Sequence, residues 1–278
     1  MNTLAIDIGG TKFSVALFEE ERITARLTRA TDRAGGPEWM LDQIAQAVRE
    51  WSFDRCGVGF GGPVDFARQR VALSTHVAGW SDFPLVERLK EMLGVPVIVD
   101  NDANAGALGE ARYGAGRGKL PLFYLTLSTG IGGGIVLADG SLYRGADSWA
   151  GEIGHITLDP DGPECLCGAR GCFERMCSGL WLERDYGKAA RELLEDPAFV
   201  ALYVVHLAQG LKAAIMLLNP ARIVIGGGIA QAGERLFSPL RAELRRQVTH
   251  WSQSRLDMVP AELGNDSVLW GALALARL

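Results

Sequence analysis

The sequence predicts an α/β protein built from two lobes, and three observations lead to that prediction. Short apolar segments of strand length alternate with amphipathic segments of helix length along all 278 residues. Each half of the chain also holds a glycine-rich turn between two strand candidates, and 48% of the residues are hydrophobic, which is enough for two buried cores. We place the first lobe at residues 1–110, with a closing helix at about 266–278 packing back on it, and the second lobe at residues 111–265.

The first lobe opens with three strand candidates and then alternates helix and strand. Apolar, β-branched segments predict strands over residues 4–8, 13–18, 23–27, 57–60 and 96–100. Helical periodicity predicts helices over residues 37–51 and 85–93. The strand over 96–100 ends at Asn101 and Asp102, after which a helix runs to Ala111. Because ligands bind beyond the carboxyl ends of strands in open α/β sheets, these polar residues lie where chemistry is common.

The second lobe has the same alternation around an irregular, cysteine-rich segment. Strands are predicted over residues 123–127 and 131–137, and a long helix over 199–218 is stopped by Asn219-Pro220. A further strand over 223–225 runs into the turn Gly226-Gly227-Gly228, and a closing helix covers 266–277. The order of elements therefore favours mixed sheets in both lobes.

The composition argues against several classes of partner. The net charge of -5 comes from charges of both signs scattered along the chain, without the basic block that nucleic acid or an anionic membrane would need. The amino terminus lacks the sections of a secretory signal, and glycines interrupt the uncharged stretch over residues 119–139. We therefore expect a soluble, cytoplasmic protein that binds neither nucleic acid nor membrane.

Two glycine turns, which we call the first and second glycine hairpins, are candidate phosphate-binding elements. They cover residues 9–12 and 128–134, each between two predicted strands. Glycine lets backbone N–H groups approach phosphate oxygens, threonine adds hydroxyl donors, and an aspartate can hold Mg²⁺. The candidate nucleotide-binding residues are Asp7, Gly9, Gly10, Thr11, Lys12, Thr129, Gly130, Gly132, Gly133, Gly227 and Gly228.

Each of these glycine motifs also has a plainer interpretation. Either hairpin taken alone is as well explained as a tight β-turn, and Gly227-Gly228 as an ordinary turn after a strand. The occurrence of one hairpin in each lobe shifts the balance toward nucleotide binding. Residues 57–62 match a dinucleotide fingerprint, but Pro63 follows where that fingerprint needs a helix, so we expect no NAD site.

Asp102 is the candidate catalytic base. Phosphoryl transfer requires a carboxylate that accepts the proton of the attacking hydroxyl, together with positioned charge around the phosphates. An aspartate at a strand end facing a nucleotide site can do this. The alternative is an N-cap of the following helix, and both roles are compatible if Asp100 or Asn101 is the cap.

Three cysteines and one histidine predict a closed zinc site. His155, Cys165, Cys167 and Cys172 form the Cys₃His set of a structural, tetrahedral zinc site. The alternative is three structural thiols and a surface histidine, but such clustering in a cytosolic protein favours metal. Cys56 and Cys177 lie apart from this cluster and are predicted to be buried apolar residues.

A zinc-fixed loop would also bring three candidate ligand-binding residues together. Glu152, His155 and Glu174 flank the predicted metal ligands, and their polar atoms would meet hydroxyl groups of a bound molecule. For the two glutamates, ordinary surface charge is the alternative. Spacing alone leaves that choice open.

Taken together, these segments resemble the ROK family (repressors, open reading frames and kinases). The resemblance spans nearly the whole chain: residues 5–12, residues 101–105, the cysteine segment, which is its most specific part, and residues 219–228. It implies a two-lobed actin-like ATPase (ribonuclease H-like) fold with a zinc-binding loop, closing around Mg-ATP and a hexose. It also implies transfer to a sugar hydroxyl, commonly at C6, and a homodimer. By matching position it makes Asp102 the base and Asn101, Glu152, His155 and Glu174 the sugar ligands.

The chain departs from the pattern of family glucokinases at two segments near the sugar. Those enzymes usually carry Pro-Gly-Pro where this chain has Gly61-Gly62-Pro63, and an Asn-containing segment where it has residues 74–80. We include Gly62 among the sugar-pocket residues. Both departures resemble the N-acetylmannosamine kinase branch, which is therefore the alternative to a glucokinase-like activity. The region 179–199 is also short for the family.

Two functions of other classes are the remaining alternatives. Some family members are sugar-sensing transcriptional regulators with a helix-turn-helix domain before the kinase-like body, and here the first glycine hairpin begins within ten residues of Met1. We expect no such domain. A non-catalytic sugar-binding protein is less favoured because Asp102 and both glycine hairpins are present.

Overall fold

A computed structural model describes residues 1–74, 77–253 and 255–278. Thr75 and His76, within the segment that departs from the family pattern, lie outside the described residues. The first part of the chain forms strands and helices in the following order: β1 (Asn2–Ile8), β2 (Lys12–Glu19), β3 (Arg22–Ala30), α1 (Gly36–Val48), β4 (Arg55–Phe60), β5 (Val64–Asp65), β6 (Arg70–Val71), α2 (Leu85–Leu93), β7 (Val97–Asn101) and α3 (Asp102–Tyr113).

The first sheet is mixed, with strand order β3-β2-β1-β4-β7. The hairpin neighbours β1, β2 and β3 are antiparallel, whereas β4 and β7 run parallel to β1. Strands β1 and β4 are apolar on both faces, as central strands must be, and the edge strand β3 alternates exposed and half-buried residues. Helix α1 packs Met40, Leu41 and Ile44 into the core of this sheet.

The remainder of the chain builds a second mixed sheet and its helical cover. Its elements are β8 (Leu122–Leu127), β9 (Ile131–Val136), α4 (Phe173–Cys177), α5 (Gly179–Tyr186), α6 (Ala190–Leu193), α7 (Pro197–Leu218), β10 (Arg222–Gly226), α8 (Glu234–Gln247), α9 (His250–Gln253), β11 (Met258–Pro260) and α10 (Ser267–Leu275). The strand order is β11-β10-β8-β9, with β9 antiparallel to β8 and the others parallel.

Helices α3 and α10 lie between the two sheets. Ala107 of α3 packs with Tyr124 and Val136 of the second sheet, whereas Leu269 and Leu273 of α10 pack on the first sheet. The two helices cross closely because a Cβ at Gly271 would stand 1.7 Å from the Ala105 carbonyl oxygen, so any side chain there would push them apart.

The structure confirms the predicted strands and long helices, with small shifts at their ends. The dinucleotide fingerprint is followed by strand β5 instead of a helix, as expected. Cys56 and Cys177 are 1% and 0% exposed, which confirms that they are buried. Helices α4, α5, α6, α8 and α9 were not predicted. Of these, α4 to α6 and α9 are only four to eight residues long, too short for periodicity to detect.

Helix α7 is the one described helix with the length and composition of a membrane span. Half of its apolar window is nevertheless buried inside the structure. Val204, Leu207 and Leu211 belong to the core of the second sheet. This arrangement is typical of a core helix, and length and composition alone are weak evidence for a membrane span.

Candidate active site between the two sheets

A cavity of about 670 Å³ lies between the two sheets and collects the predicted ligand-binding residues. All of the predicted nucleotide-binding and sugar-binding residues line it, from both halves of the chain: Asp7, Gly9, Gly10, Thr11, Lys12, Gly62, Asn101, Asp102, Thr129, Gly130, Gly132, Gly133, Glu152, His155, Glu174, Gly227 and Gly228. Of the four predicted metal ligands, His155 and Cys167 reach the same cavity.

Asp102 lies at the junction of β7 and α3, where Asn101 is the helix N-cap. The Asn101 Oδ1 atom accepts hydrogen bonds from the backbone N–H groups of Ala103 and Asn104 at 2.9 and 3.3 Å. This confirms Asn101 as the cap, so the Asp102 side chain is released to face the cavity. The Asn101 Nδ2 atom donates to the Gly62 carbonyl at 3.0 Å, which leaves one of its two amide hydrogens for a ligand.

Burial raises the pKa of Asp102 to about 7, and the nearby negative charges of Asp7 and Glu152 add to that rise. A carboxyl group with a pKa near 7 is a stronger base than an ordinary aspartate and is still largely ionised at slightly alkaline pH. Asp102 therefore has the environment of a general base.

The first glycine hairpin and Asp7 form one wall of the cavity. Burial raises the pKa of Asp7 to about 6, opposed by the positive charges of Lys12 and Arg26. The Gly9 N–H donates to the Lys12 carbonyl at 3.0 Å and closes the turn, so it is not free for a phosphate. Thr11 and Lys12 are exposed at the tip of this hairpin.

The second glycine hairpin is anchored by Glu174 from helix α4. The Glu174 Oε2 atom accepts a hydrogen bond from the Ile131 N–H at 2.8 Å, and the Leu180 N–H donates to the Thr129 carbonyl at 3.1 Å. The Gly133 N–H donates to the Gly151 carbonyl at 2.8 Å. This N–H is therefore not available for the nucleotide contact predicted for Gly133. Glu174 thus has a structural role that the sequence did not indicate.

Glu152 and His155 lie together next to the predicted metal ligands. The His155 Nε2 and Glu152 Oε2 atoms are 3.9 Å apart. Burial raises the pKa of Glu152, while the neighbouring imidazole lowers it. The His155 Nδ1 atom points the other way and lies 4.0 Å from Cys165 Sγ. The two ring nitrogens therefore face different partners, one the cavity and one the thiols.

The Cys₃His cluster has the donor set and spacing of a zinc site. The ligand atoms of His155, Cys165, Cys167 and Cys172 all lie within 4.8 Å of one another, and the Cys167 and Cys172 sulfurs are 3.5 Å apart. These distances fit the edges of a tetrahedron around an ion about 2.3 Å from each sulfur. A Cβ at Gly171 would stand 1.7 Å from the Asp159 carbonyl oxygen, so the loop closes only with glycine there.

Several cavity residues were missed by the sequence analysis. Trp149 and Leu166, 54% and 50% exposed, line its rim, and Asn265 and Ser267 line it from the segment before helix α10. Trp149 lies three residues before Glu152, which was predicted to bind a ligand, so an aromatic residue close to a predicted ligand residue was the available signal. Asn265 and Ser267 gave no such signal.

Comparison with known proteins places these features in one family. The ROK family model matches residues 3–278. The chain belongs to the ROK family. Glucokinase from Thermotoga maritima is 33% identical over 310 residues, covering 100% of this chain and 98% of the relative.

Two solved ROK structures match the whole fold. The ROK glucokinase from Streptomyces griseus, determined with glucose and AMPPNP, has a TM-score of 0.88 and 31% identity, covering 100% of this chain and 99% of that chain. The ROK hexokinase from Thermus thermophilus has a TM-score of 0.84 and 35% identity, covering 100% and 98%. These matches confirm the predicted ROK family and actin-like ATPase fold.

Proposed function

We propose that this ROK protein is an ATP-dependent sugar kinase that transfers the γ-phosphoryl group of ATP to a hexose hydroxyl. The observation that best supports this proposal is that the Asp102 carboxylate faces the same cavity that both glycine hairpins and the predicted sugar ligands line. Relatives that are glucokinases, at about a third identity along the whole chain, support the glucokinase-like prediction.

In the proposed reaction, Asp102 accepts the proton of the attacking sugar hydroxyl. The hydroxyl oxygen bonds to the γ-phosphorus as the bond from that phosphorus to the β–γ bridging oxygen breaks, and ADP leaves. We assign the reacting hydroxyl to C6. The Asn101 cap and the helix behind it hold the Asp102 backbone, so the carboxylate is positioned before substrate arrives.

The phosphates are proposed to lie between the two hairpins. Lys12 supplies positive charge, Thr11 and Thr129 supply hydroxyl donors, and Gly10 and Gly130 allow close approach of the backbone. Mg²⁺ bound with ATP would neutralise phosphate charge. Asp7 would hold that ion from the β1 end, where its carboxyl already lies beside Lys12 and the cavity.

The sugar is proposed to lie on the other side of Asp102. Glu152 and Glu174 would accept hydrogen bonds from sugar hydroxyls, and the His155 Nε2 atom would donate one. Asn101 and Gly62 complete this pocket. Glucose is the proposed acceptor, and the Gly61-Gly62 pair makes N-acetylmannosamine the alternative acceptor. Buried hydrogen-bonding groups of this kind reject substrates that leave them unpaired, so selectivity is expected to be measurable.

We propose that zinc is structural. His155, Cys165, Cys167 and Cys172 would hold it, and the ion would fix the loop that carries His155 to the cavity without activating water. Cys167 and Leu166 of this loop line the cavity. The shape of the sugar pocket is therefore expected to depend on the ion that fixes the loop.

A cytoplasmic homodimer is the proposed state of the protein. All five cysteines are free, as is typical of a reducing compartment. The exposed aliphatic side chains of Leu202, Met216 and Leu217 on helix α7 give a second copy an apolar surface to cover.

A sugar panel tests the proposed function. ADP formation from ATP would be followed with glucose, mannose, fructose, allose, N-acetylglucosamine and N-acetylmannosamine, with a sugar-free reaction as the control. We expect sugar-dependent ADP formation, with the largest kcat/KM for glucose, and the site of phosphorylation at C6 by NMR. A larger kcat/KM for N-acetylmannosamine than for glucose would show that N-acetylmannosamine is the acceptor. The absence of sugar-dependent ADP formation with every sugar would reject the kinase assignment.

A further inference from the structure

Asp100, two residues before the proposed base, is a buried carboxylate with three polar partners, Asn101, Asn104 and Arg144. It is 2% exposed. Its Oδ1 atom accepts hydrogen bonds from the Asn101 N–H at 2.8 Å and from Asn104 Nδ2 at 2.9 Å. Asp100 therefore holds the residues on both sides of Asp102 and fixes the turn from which that carboxylate projects.

The other Asp100 oxygen faces Arg144, which lies in the loop after β9. The Arg144 Nε atom donates to Asp100 Oδ2 at 2.8 Å, and Nη2 lies 2.8 Å from the same oxygen. The guanidinium stacks 3.6 Å from the Phe66 ring centre, and the Phe66 N–H donates to Ser148 Oγ at 3.1 Å. The loop after β9 is thus bound to the first half of the chain at two places, Asp100 of β7 and Phe66 after β5.

The same loop continues directly into the residues proposed to bind the sugar. The Arg144 carbonyl accepts a hydrogen bond from the Ala150 N–H at 3.0 Å, which closes residues 144–150 into a compact loop. The Gly151 carbonyl is then held by the Gly133 N–H, and Glu152 follows. Arg144 is therefore fixed to Asp100 at its side chain and, through its backbone, to the segment bearing Glu152.

We propose that Arg144 is a positioning residue that fixes the distance between Asp102 on one side of the sugar pocket and Glu152 on the other. The proposal rests on the roles given above to those two residues. Because Asp100 has little access to water, it depends on Arg144 for its counter-charge, and removing the guanidinium leaves a buried carboxylate without one. Both halves of the pocket then lose their common anchor.

The expected effect is specific to the sugar. Displacement of Glu152 raises the sugar KM, and displacement of Asp102 lowers kcat, because shifts of about 1 Å at a reacting group can cost about 10²-fold in rate. The first glycine hairpin is held by its own contact, Gly9 to Lys12, and the second keeps its bond from Ile131 to Glu174, so the KM for ATP is expected to change much less than the sugar KM.

The test measures kcat, both KM values and sugar binding by calorimetry for wild type, Arg144→Met, Arg144→Lys and Asp100→Asn, using the best sugar of the panel. Arg222→Met is the matched control, since Arg222 also pairs with an aspartate, Asp257, at 2.8 Å, but lies outside the cavity lining. We expect kcat/KM for the sugar to fall about 10²-fold in Arg144→Met and about 10-fold in Arg144→Lys, which keeps the charge but loses the planar fork. The control is expected to change only the melting temperature.

Each result decides the proposal. Unchanged sugar KM and kcat in Arg144→Met overturn it, as does an equal rise in both KM values. If Arg144→Met does not fold, Arg144→Lys and Asp100→Asn give the same decision. Calorimetry separates this proposal from the kinase assignment. If wild type binds the sugar but does not turn it over, only the kinase assignment is rejected. Loss of sugar binding in the Arg144 variants would still support the role of Arg144 in positioning the sugar ligands.

Discussion

Asp102→Asn is expected to remove activity and to stabilise the folded protein at alkaline pH. The pKa of this carboxyl rises from 3.8 to about 7 on folding, so the folded state binds the proton more tightly than the unfolded chain does. Stability from this group is fully present below about pH 4 and is lost as pH rises toward 7. Asparagine does not ionise and has no such loss, and its Oδ1 atom can still accept the Ala103 N–H.

The magnitude follows from the size of that rise. At 1.36 kcal/mol per pKa unit, ionising Asp102 costs the folded state about 4 kcal/mol at pH 8 as an upper limit. Because the carboxylate faces a solvent-accessible cavity, we expect about half of this, roughly 2 kcal/mol, as the gain in the free energy of unfolding of Asp102→Asn.

Urea unfolding at pH 4, 6 and 8 measures this gain. The difference between variant and wild type should be near zero at pH 4 and largest at pH 8. Asp42→Asn, on the exposed face of α1, is the matched control and should change stability little at any of these values. A variant no more stable than wild type at pH 8, or a gain independent of pH, would refute the burial argument for Asp102.

Three further predictions concern the pH profile, the metal loop and the second hairpin. In wild type, kcat/KM for the sugar should fall about tenfold per pH unit below about 7, because only ionised Asp102 accepts a proton; a flat profile down to pH 5 would contradict this. Elemental analysis should find about one zinc per chain, and Cys167→Ser should lower metal content and sugar affinity whereas Cys56→Ala should not; metal-free protein with full affinity would refute the zinc loop. Glu174→Ala removes the acceptor of the Ile131 N–H and should raise the KM values for ATP and sugar; unchanged steady-state kinetics would show that this bond does not hold the hairpin.

The sequence predicted the parts of the site that depend on local patterns. Asp7 and Asp102 end short apolar strands, and the two hairpins are marked by glycines between strands, so each could be located from its neighbours alone. The three closely spaced cysteines and the nearby histidine likewise predicted the metal site from the sequence alone. Since the carboxyl ends of parallel strands share one edge of a sheet, the meeting of Asp7 and Asp102 also follows from the strand order.

The parts that could not be predicted depend on contacts between distant segments. Arg144 and Asp100 are 44 residues apart, and Ser267 bonds to Glu110 across 157 residues. Neither pair follows a local motif, because its members lie on elements far apart in the sequence: Arg144 on the loop after β9 and Asp100 on β7, Ser267 on α10 and Glu110 on α3. The anchoring role of Glu174 was hidden for the same reason, since its partner Ile131 lies on another element.

The most direct test of the account is the initial rate of sugar-dependent ADP formation by wild type and Asp102→Asn at pH 8, with sugar and ATP both saturating. A general base usually contributes at least 10²-fold, so we predict a loss of about 10²-fold or more in kcat, with sugar binding by calorimetry retained. Equal rates for the two proteins would contradict the assignment of Asp102 as the group that accepts the sugar's proton.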